Sequence, residues 1–383
     1  MGWYGNRYDE KYTFVKVSPV DWSENGTYDY ITNGSLEFSD DNKFKVTGSF
    51  SFNGPELPNP NYYLRVYYSF NSLDTDTYEL VKTKIPLATT IVTYPSKQIQ
   101  ETLDGFVYTG SLTASSILKI LDDKKYGEPF IIKRNSNPIY KAFELIEGFG
   151  LRVDYTPSSA ILTSDHTFSA ENSYLDIINW LCEYAEYRQA FVDPEGVIQL
   201  HPLVKPEQDP NPIVFRNDNQ SIMYPEIDEQ NDWQSRPNVV KYVYNTDKAW
   251  AIATAKNIRG SRMSLESLNG REITTVNGTS DVNSKKNILE QLIEKAEKEL
   301  REQANETEVV VFSHAYIPLE LKKAVKIEYS DMTWLGSVEN MSIDLNTAIK
   351  TQTKISKTIE HNIEIKKSGK IRLSDGTEEE IGD

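Results

Sequence analysis

The chain has 383 residues, of which 38% are hydrophobic and 11% aromatic, and its formal net charge is −16 at pH 7. This composition predicts a folded, β-rich chain of roughly two to four domains rather than a disordered one. The acidic charge argues against stable nucleic-acid binding, because that affinity depends mainly on cations that neutralise phosphates. No apolar run reaches the ~18 residues of a membrane-spanning helix, and the N-terminus has no apolar core of a secretory signal.

The first predicted elements are strands. Residues 1–27 are polar and aromatic with little periodicity, and they predict an N-terminal arm or an edge strand. Apolar and polar side chains alternate in Phe44–Phe52, and Tyr62–Phe70 repeats the pattern. We therefore expect a first β-barrel domain over residues 28–105.

A mixed α/β domain is predicted over residues 106–205. Its first clear helix has Asn137 as N-cap, Pro138 at the first helical position and Gly148 at its C-terminal end. A second helix follows Ser173 and places Cys182, the single cysteine, on its apolar face. This position predicts a buried structural thiol rather than a nucleophile.

A tight turn follows the second helix. Asp193, Pro194 and Gly196 belong to the segment Asp-Pro-Glu-Gly, which separates two short apolar strands. Proline fixes φ and glycine tolerates a positive φ, so this pattern is typical of a hairpin turn. We interpret these three residues as a structural turn, not a catalytic site.

The second half of the chain predicts a second β-barrel domain and an insertion. Residues 206–258 and 308–360 supply its strands, while residues 259–307 form a loop and a long amphipathic helix over about 283–304. The helix mixes Glu with Lys on its polar face, which favours packing against a sheet or a subunit over membrane binding. Residues 361–383 predict a polar C-terminal tail.

Motifs for catalysis or for cofactor binding are not visible in the sequence. There is no glycine-rich dinucleotide or phosphate loop, no Gly-x-Ser-x-Gly and no His-Glu-x-x-His. The four histidines are far apart in sequence, which argues against a zinc site. The sequence therefore predicts no catalytic residue, no cofactor and no metal ligand.

A group of tyrosines in the second predicted strand leaves two interpretations open. Tyr62, Tyr63, Tyr67 and Tyr68 are either a platform for stacking sugars or residues of a core and a subunit face, where aromatic side chains are common. Under the second interpretation the tyrosines are packing residues and do not bind a sugar.

Three stretches resemble phage tail hub proteins. They are the helix–hairpin unit of residues 173–205, the run from Pro318-Leu319-Glu320-Leu321 through Met341–Leu345, and the Gly34-Ser35-Leu36 strand. The resemblance extends over roughly residues 25–360. It implies an α+β, mainly β fold with two tube-like β-barrel domains, an inserted α/β region and a long amphipathic helix.

The same resemblance implies a structural role at the tail tip or baseplate of a virion made in the host cytoplasm. Such a hub closes the tail tube, adapts its symmetry and opens for tape-measure and DNA release. Its expected partners are two further copies in a homotrimeric ring, a distal tail protein, a tape-measure protein and a tail fibre or spike. The alternatives are a cell-wall-degrading enzyme, such as a glycosidase or peptidoglycan hydrolase, and a carbohydrate-binding adhesin.

Overall fold

The structure is a computed structural model that describes residues 7–73, 79–102, 105–216, 223–231, 236–246, 249–279, 288–345, 351–359, 361–373 and 377–381. It is mainly β. The strands are β1 Arg7–Val17, β2 Glu24–Thr27, β3 Ile31–Ser39, β4 Val46–Gly54, β5 Tyr63–Leu73, β6 Leu80–Thr102, β7 Gly105–Ser116, β8 Phe130–Ile132, β9 Val153–Tyr155, β10 His166–Phe168, β11 Phe191–Val192, β12 Ile198–Leu200, β13 Ile213–Arg216, β14 Met223–Asn231, β15 Val239–Thr246, β16 Ala249–Arg259, β17 Thr274–Gly278, β18 Glu306–His314, β19 Ala324–Tyr329, β20 Met332–Asp344, β21 Thr351–Ile359, β22 Glu364–Leu373 and β23 Glu378–Ile381. The helices are α1 Leu118–Asp123, α2 Pro138–Glu147, α3 Tyr174–Tyr184 and α4 Ile288–Ala304, with a 3-10 turn at Pro206–Gln208.

The chain divides into two compact units. Unit 1 contains Met1–Ile227 and Val311–Ile355, and unit 2 contains Asp228–Val310 and Ser356–Asp383. The residue boundaries fall inside strands β14, β18 and β21.

The principal sheet of unit 1 is antiparallel along most of its length, in the order β20-β3-β4-β7-β6-β5-β1-β2. The predicted N-terminal arm thus supplies the last two strands of this order. Alternation in β4 buries Phe50 and Phe52 on one face, as the sequence pattern predicts.

The two predicted barrels are not confirmed. In the part of the chain that the structure describes, no pairing joins the first and last strands of the sheet order, so none of the sheets closes. The strands of the predicted second β-domain are also shared between two sheets: β20 pairs with β3 of the first region, whereas β15 and β16 lie in a separate sheet. Alternation predicts which face of a strand is buried, but it does not encode the strand's partner.

The α/β region of unit 1 has the predicted local structure. Asn137 caps α2, and its side chain accepts a hydrogen bond from the Tyr140 amide at 3.0 Å. Ser173 and Asp176 form a capping box at the start of α3. The two helices pack into one apolar core, where burial raises the pKa of Cys182 to about 12.

Unit 2 consists of a five-stranded sheet, in the order β17-β15-β16-β22-β23, with α4 packed against one face. The helix buries Leu289, Leu292, Ala296, Leu300 and Ala304. Its predicted start near residue 283 lies outside the described residues. On the sheet, a Cβ atom on Gly369 would lie 2.6 Å from the Leu289 Cδ1, so a larger residue would force the leucine side chain to shift.

Two segments of unit 2 differ from the sequence prediction. Residues 361–383 were expected to form a polar tail, but β22 pairs with β16 along its whole length and β23 pairs with β22. Strand β17 lies within residues 259–307, which were predicted to contain a loop and a long helix. In β22, Lys367 and Gly369 occupy the positions between the apolar Ile365 and Ile371, so the alternation that predicts a strand is weak there.

Candidate functional site

The hairpin turn of residues 193–196 is held by its own hydrogen bonds. The Gly196 amide donates to the Asp193 carbonyl at 3.0 Å, and the Asp193 Oδ1 accepts from the Val197 amide at 2.8 Å. The Asp193 Oδ2 accepts from the Gln199 side chain at 3.1 Å. Gly196 has a φ of 83°, in the left-handed region that favours glycine. Both carboxylate oxygens of Asp193 are therefore engaged in the turn.

The turn is docked onto strands β5 and β6 through its main chain. Arg65 is 7% exposed, and its Nη2 donates to the Glu195 carbonyl at 2.8 Å. Its Nε donates to Thr89 Oγ1 at 2.9 Å, and that hydroxyl donates to the Pro194 carbonyl at 2.8 Å. The guanidinium thus bonds neutral oxygens that would otherwise be buried without partners, and its Nη1 also lies 3.7 Å from the Glu24 carboxylate.

A second arginine and a tryptophan complete this docking. Arg152 also donates to the Glu195 carbonyl, and its guanidinium lies 3.9 Å from the ring centroid of Trp22. A Cβ atom on Gly196 would lie 2.5 Å from the Trp22 ring. Position 196 therefore needs glycine twice, for its φ and for its close approach to Trp22.

A pocket of about 190 Å³ lies in unit 1 between this turn and the segment that contains Pro318–Leu321. Two of the three stretches that carry the sequence resemblance therefore meet at this pocket. Most of the lining is apolar. The lining residues are Phe38, Lys45, Val46, Ile85, Pro86, Leu87, Phe191, Val192, Asp193, Pro194, Tyr316, Pro318, Leu319, Glu320, Leu321 and Met341.

The cation that lines the pocket, Lys45, belongs to a charged network. Lys45 is 3% exposed, and its Nζ donates to the Gln189 side chain at 2.9 Å and to the Asp40 carbonyl. Lys322 Nζ lies 2.8 Å from Asp40 Oδ2 and 2.9 Å from Glu339 Oε2. Burial of Asp40 acts to raise its pKa, but the hydrogen bonds and charges of Lys322 and Lys45 outweigh burial, so the pKa of Asp40 is lowered.

Both lysines have unusual backbone conformations. The φ angles of Lys45 and Lys322 are 61° and 63°, a region that side-chain-bearing residues adopt rarely. Each therefore carries backbone strain that the surrounding hydrogen bonds must offset.

Arg188 ties the α/β region to the same segment. Its Nη1 donates to the Leu321 carbonyl at 2.8 Å, and its guanidinium lies 3.4 Å from the Phe191 ring centroid. Burial lowers the pKa of Arg188 to about 10, although Glu320 and Asp40 partly oppose the shift.

The pocket is a mostly apolar recess, and its acidic lining residues are Asp193 and Glu320. Its lining contains no serine, cysteine, threonine or histidine, and the amine of Lys45 is already bonded. Across the described residues there is no group of three His, Cys, Asp or Glu side chains that could hold a metal ion. Within the same residues, no helix is both long and apolar enough to cross a membrane.

The structure also decides between the two interpretations of the tyrosines. Tyr63, Tyr67 and Tyr68 are 8%, 9% and 0% exposed and pack in the core, whereas Tyr62 is half-buried, so the four rings do not form one stacking platform. Sequence reasoning located Asp193, Pro194 and Gly196 but missed Arg65, Lys45 and Lys322. Isolated cations on strands or turns carry no sequence signal, because charged residues are usually exposed.

The comparisons with known proteins place the fold. No protein-family model matches the chain, and no curated protein matches it. Two of the solved structures that resemble the chain illustrate a likeness over almost its whole length. The prophage MuSo2 43 kDa tail protein from Shewanella oneidensis has a TM-score of 0.59 at 9% identity and covers 90% of this chain and 98% of its own. The tail protein from Neisseria meningitidis MC58 has a TM-score of 0.58 at 11% identity and covers 91% of this chain and 97% of its own.

The chain therefore has a fold found in phage and prophage tail proteins. Because both neighbours align over nearly their full lengths, the likeness includes both units rather than one shared domain.

Proposed function

We propose that the chain is a structural tail component of a long-tailed phage, namely a hub subunit at the tail tip or baseplate. The observation that carries this proposal is the fold shared with two tail proteins over about nine-tenths of the chain. In this role the protein closes the distal end of the tail tube, adapts its symmetry to the central tip and opens for tape-measure and DNA release. The proposed partners are a distal tail protein, a tape-measure protein and a fibre or spike.

The exposed end of the β6–β7 hairpin supports an assembly role. Ile99 and Phe106 are 56% and 54% exposed, and the strand register places them on the same face, with Ile99 opposite Tyr108 and Phe106 opposite Glu101. A two-stranded ribbon with exposed apolar side chains is marginally stable in water, and contact with a neighbouring subunit would stabilise it. We propose a homotrimeric ring as the assembly that provides this contact.

Electron cryo-microscopy of particles that carry a tagged copy of the chain tests the proposal. We expect density for the tag at the distal end of the tail, in a ring of three copies. Density along the tube, at the head or absent from the particle would contradict the hub assignment, and a ring of six identical chains would contradict the trimer.

Activity assays separate this proposal from the two alternatives. A zymogram on purified cell wall reports a hydrolase, and a glycan array reports an adhesin. We expect both to be negative for the purified chain. The burial of Tyr63, Tyr67 and Tyr68 supports the expectation for the glycan array, because a buried ring cannot stack on a sugar.

A further inference from the structure

One face of the unit 2 sheet carries no helix among the described residues. Side chains alternate along β16, and Ala251, Ala253 and Ala255 lie on the face packed against α4. Trp250, with 40% exposure, therefore lies on the opposite face.

This opposite face collects cations from three strands that are separate in sequence. Lys256 of β16 is the Cα partner of Lys366 of β22, Arg372 of β22 is the partner of Trp250, and Lys241 of β15 is the partner of Thr254. The basic face is defined by the cations Lys241, Lys256, Lys366, Lys370 and Arg372 and by the apolar residues Val243, Trp250, Ile252 and Val276.

The carboxylates of the region only partly neutralise the basic face. Glu378 lies 3.3 Å from Lys370 and 3.5 Å from Arg372, and one carboxylate cannot balance two cations. Glu272 pairs with Lys256 at 2.5 Å. Glu380 is opposite Lys370 on β23. At the edge of the face, Arg259 lies 3.5 Å from Glu364 and 3.4 Å from Glu266. Counted with these three residues, the face has six cations and five carboxylates, an excess of one positive charge on a chain whose net charge is −16.

Lys366 lies directly opposite Lys256, and Glu272 relieves the repulsion between the two lysines only on the Lys256 side. Like charges directly opposite each other on neighbouring strands repel and destabilise the pair. Lys366 is exposed. An acidic surface placed over the two lysines would turn this repulsion into attraction on both.

The apolar part of the face fits a protein partner better than a polyanion. Val276 is 60% exposed and Trp250 is 40% exposed, and the half-buried Val243 and Ile252 lie between charged neighbours. Protein interfaces combine an apolar centre that often contains Trp with a charged rim. Nucleic acid would be repelled by Glu378 and Glu380 on the same face and by the net charge of the chain.

We propose that the basic face binds an acidic surface of a second copy of this chain. The chain's 57 acidic and 41 basic residues make its own surface predominantly acidic, so another copy supplies the complementary charge. Contact between two different surfaces of identical chains is heterologous, and such contacts close into rings when the rotation permits. The inference rests on the proposed ring function and names one of the two surfaces that join its subunits.

Charge reversal tests this contact in the full-length protein. The test variant combines Lys241→Glu, Lys366→Glu and Arg372→Glu. The control combines Lys11→Glu, Lys125→Glu and Lys133→Glu, which makes the same charge change at exposed positions of unit 1. Light scattering during size-exclusion chromatography measures self-association of each protein at about 50 mM and about 500 mM salt, where screening differs strongly.

We expect the wild type and the control to associate at low salt, and the test variant to need at least tenfold more protein to do so. High salt should weaken association of the wild type and hardly change that of the test variant. Equal association of test variant and wild type, or a wild type that is monomeric at every concentration, would overturn the inference. So would DNA binding by the wild type, measured with a labelled duplex, that the test variant loses.

A second variant covers misfolding of the reversed face. If circular dichroism shows that the triple variant is unfolded, Lys366→Gln with Trp250→Ala replaces it, and the same comparisons apply. The particle images described above report on the hub role separately. If the chain is found at the tail tip but the substitutions do not change its association, only the basic-face inference is contradicted. If the chain associates as expected but is found elsewhere in the particle, only the hub role is contradicted.

Discussion

Charged residues are used in opposite ways around the 193–196 turn and on the basic face of unit 2. At the turn, Arg65 and the nearby Lys45 are almost fully buried, and both bond oxygens of their own chain. On the basic face, Arg372 is 65% exposed in its side chain and Lys366 is exposed, and cations outnumber carboxylates. The buried cations near the turn stabilise the fold, because a buried charge is tolerated only when it is hydrogen-bonded or paired. The cations of the basic face remain available to another molecule.

Replacing one arginine in each region should give the largest contrast. Arg65→Met removes charged hydrogen bonds to Thr89 and to the Glu195 carbonyl in a buried setting, and we expect it to lower the free energy of unfolding by about 4 kcal/mol. Arg372→Met, at an exposed position, should change it by less than about 0.5 kcal/mol. Urea denaturation of both variants measures the difference. Similar losses in the two variants would show that the regions do not differ in the proposed way.

A pH titration sharpens the comparison through a buried histidine of unit 1. His314 is 0% exposed, its ring nitrogens lie 2.7 Å from the Ala315 carbonyl and 2.8 Å from Thr353 Oγ1, and burial lowers its pKa from 6.5 to about 4. Because the unfolded chain takes up this proton at a higher pH than the folded one, its contribution to stability is complete above about pH 6.5 and is lost as the pH falls to about 4. The loss should be about 3 kcal/mol. In His314→Gln this part of the pH dependence of the unfolding free energy should disappear, and a variant with the wild-type slope would contradict the assignment.

Two glycines with the same backbone angle separate strain from close packing. Gly196 and Gly127 have φ values of 83° and 84°, but only Gly196 has neighbouring atoms within 4 Å of an added Cβ. We expect Gly127→Val to cost about 1 kcal/mol for strain alone, and Gly196→Val to cost about 2–3 kcal/mol because the side chain also meets Trp22. Thermal melts of the two variants give the comparison. Equal melting temperatures would show that the turn does not depend on its contact with Trp22.

The smallest expected effect is on the basic face itself. Lys366→Gln removes the repulsion between Lys366 and Lys256 and should raise the free energy of unfolding of the monomer slightly, by about 0.3 kcal/mol. Lys125→Gln, at an exposed position in unit 1, serves as the control. Stabilisation by Lys366→Gln alone, measured at low salt and reduced at high salt, would support the repulsion, while destabilisation would contradict it.

The features that the sequence predicts well are local. The caps at Asn137 and Ser173 and the turn at Asp193 are determined within a few residues, and the structure has all three. Strand alternation likewise predicts the buried face of β4.

The features that the sequence does not predict depend on distant residues. The pairing of β20 with β3 and of β22 with β16 joins segments that are hundreds or about a hundred residues apart, and alternation is silent on such pairings. The left-handed conformations of Lys45 and Lys322 occur where both lysines contact Asp40, and the residue type does not predict them. The sequence therefore predicts only part of the candidate site. It predicts the turn, but it does not predict the cations that bond to the turn or lie beside it.

The docking of the 193–196 turn has a consequence for sequence variation. Arg65 and Thr89 bind the main-chain oxygens of Glu195 and Pro194, and the Glu195 side chain is exposed. A carbonyl oxygen is present whatever side chain its residue carries. These hydrogen bonds therefore depend on the position of the main chain and tolerate substitution at position 195. Contacts made through the main chain can be kept while the sequence diverges. They are compatible with the 9% and 11% identities at which this fold recurs.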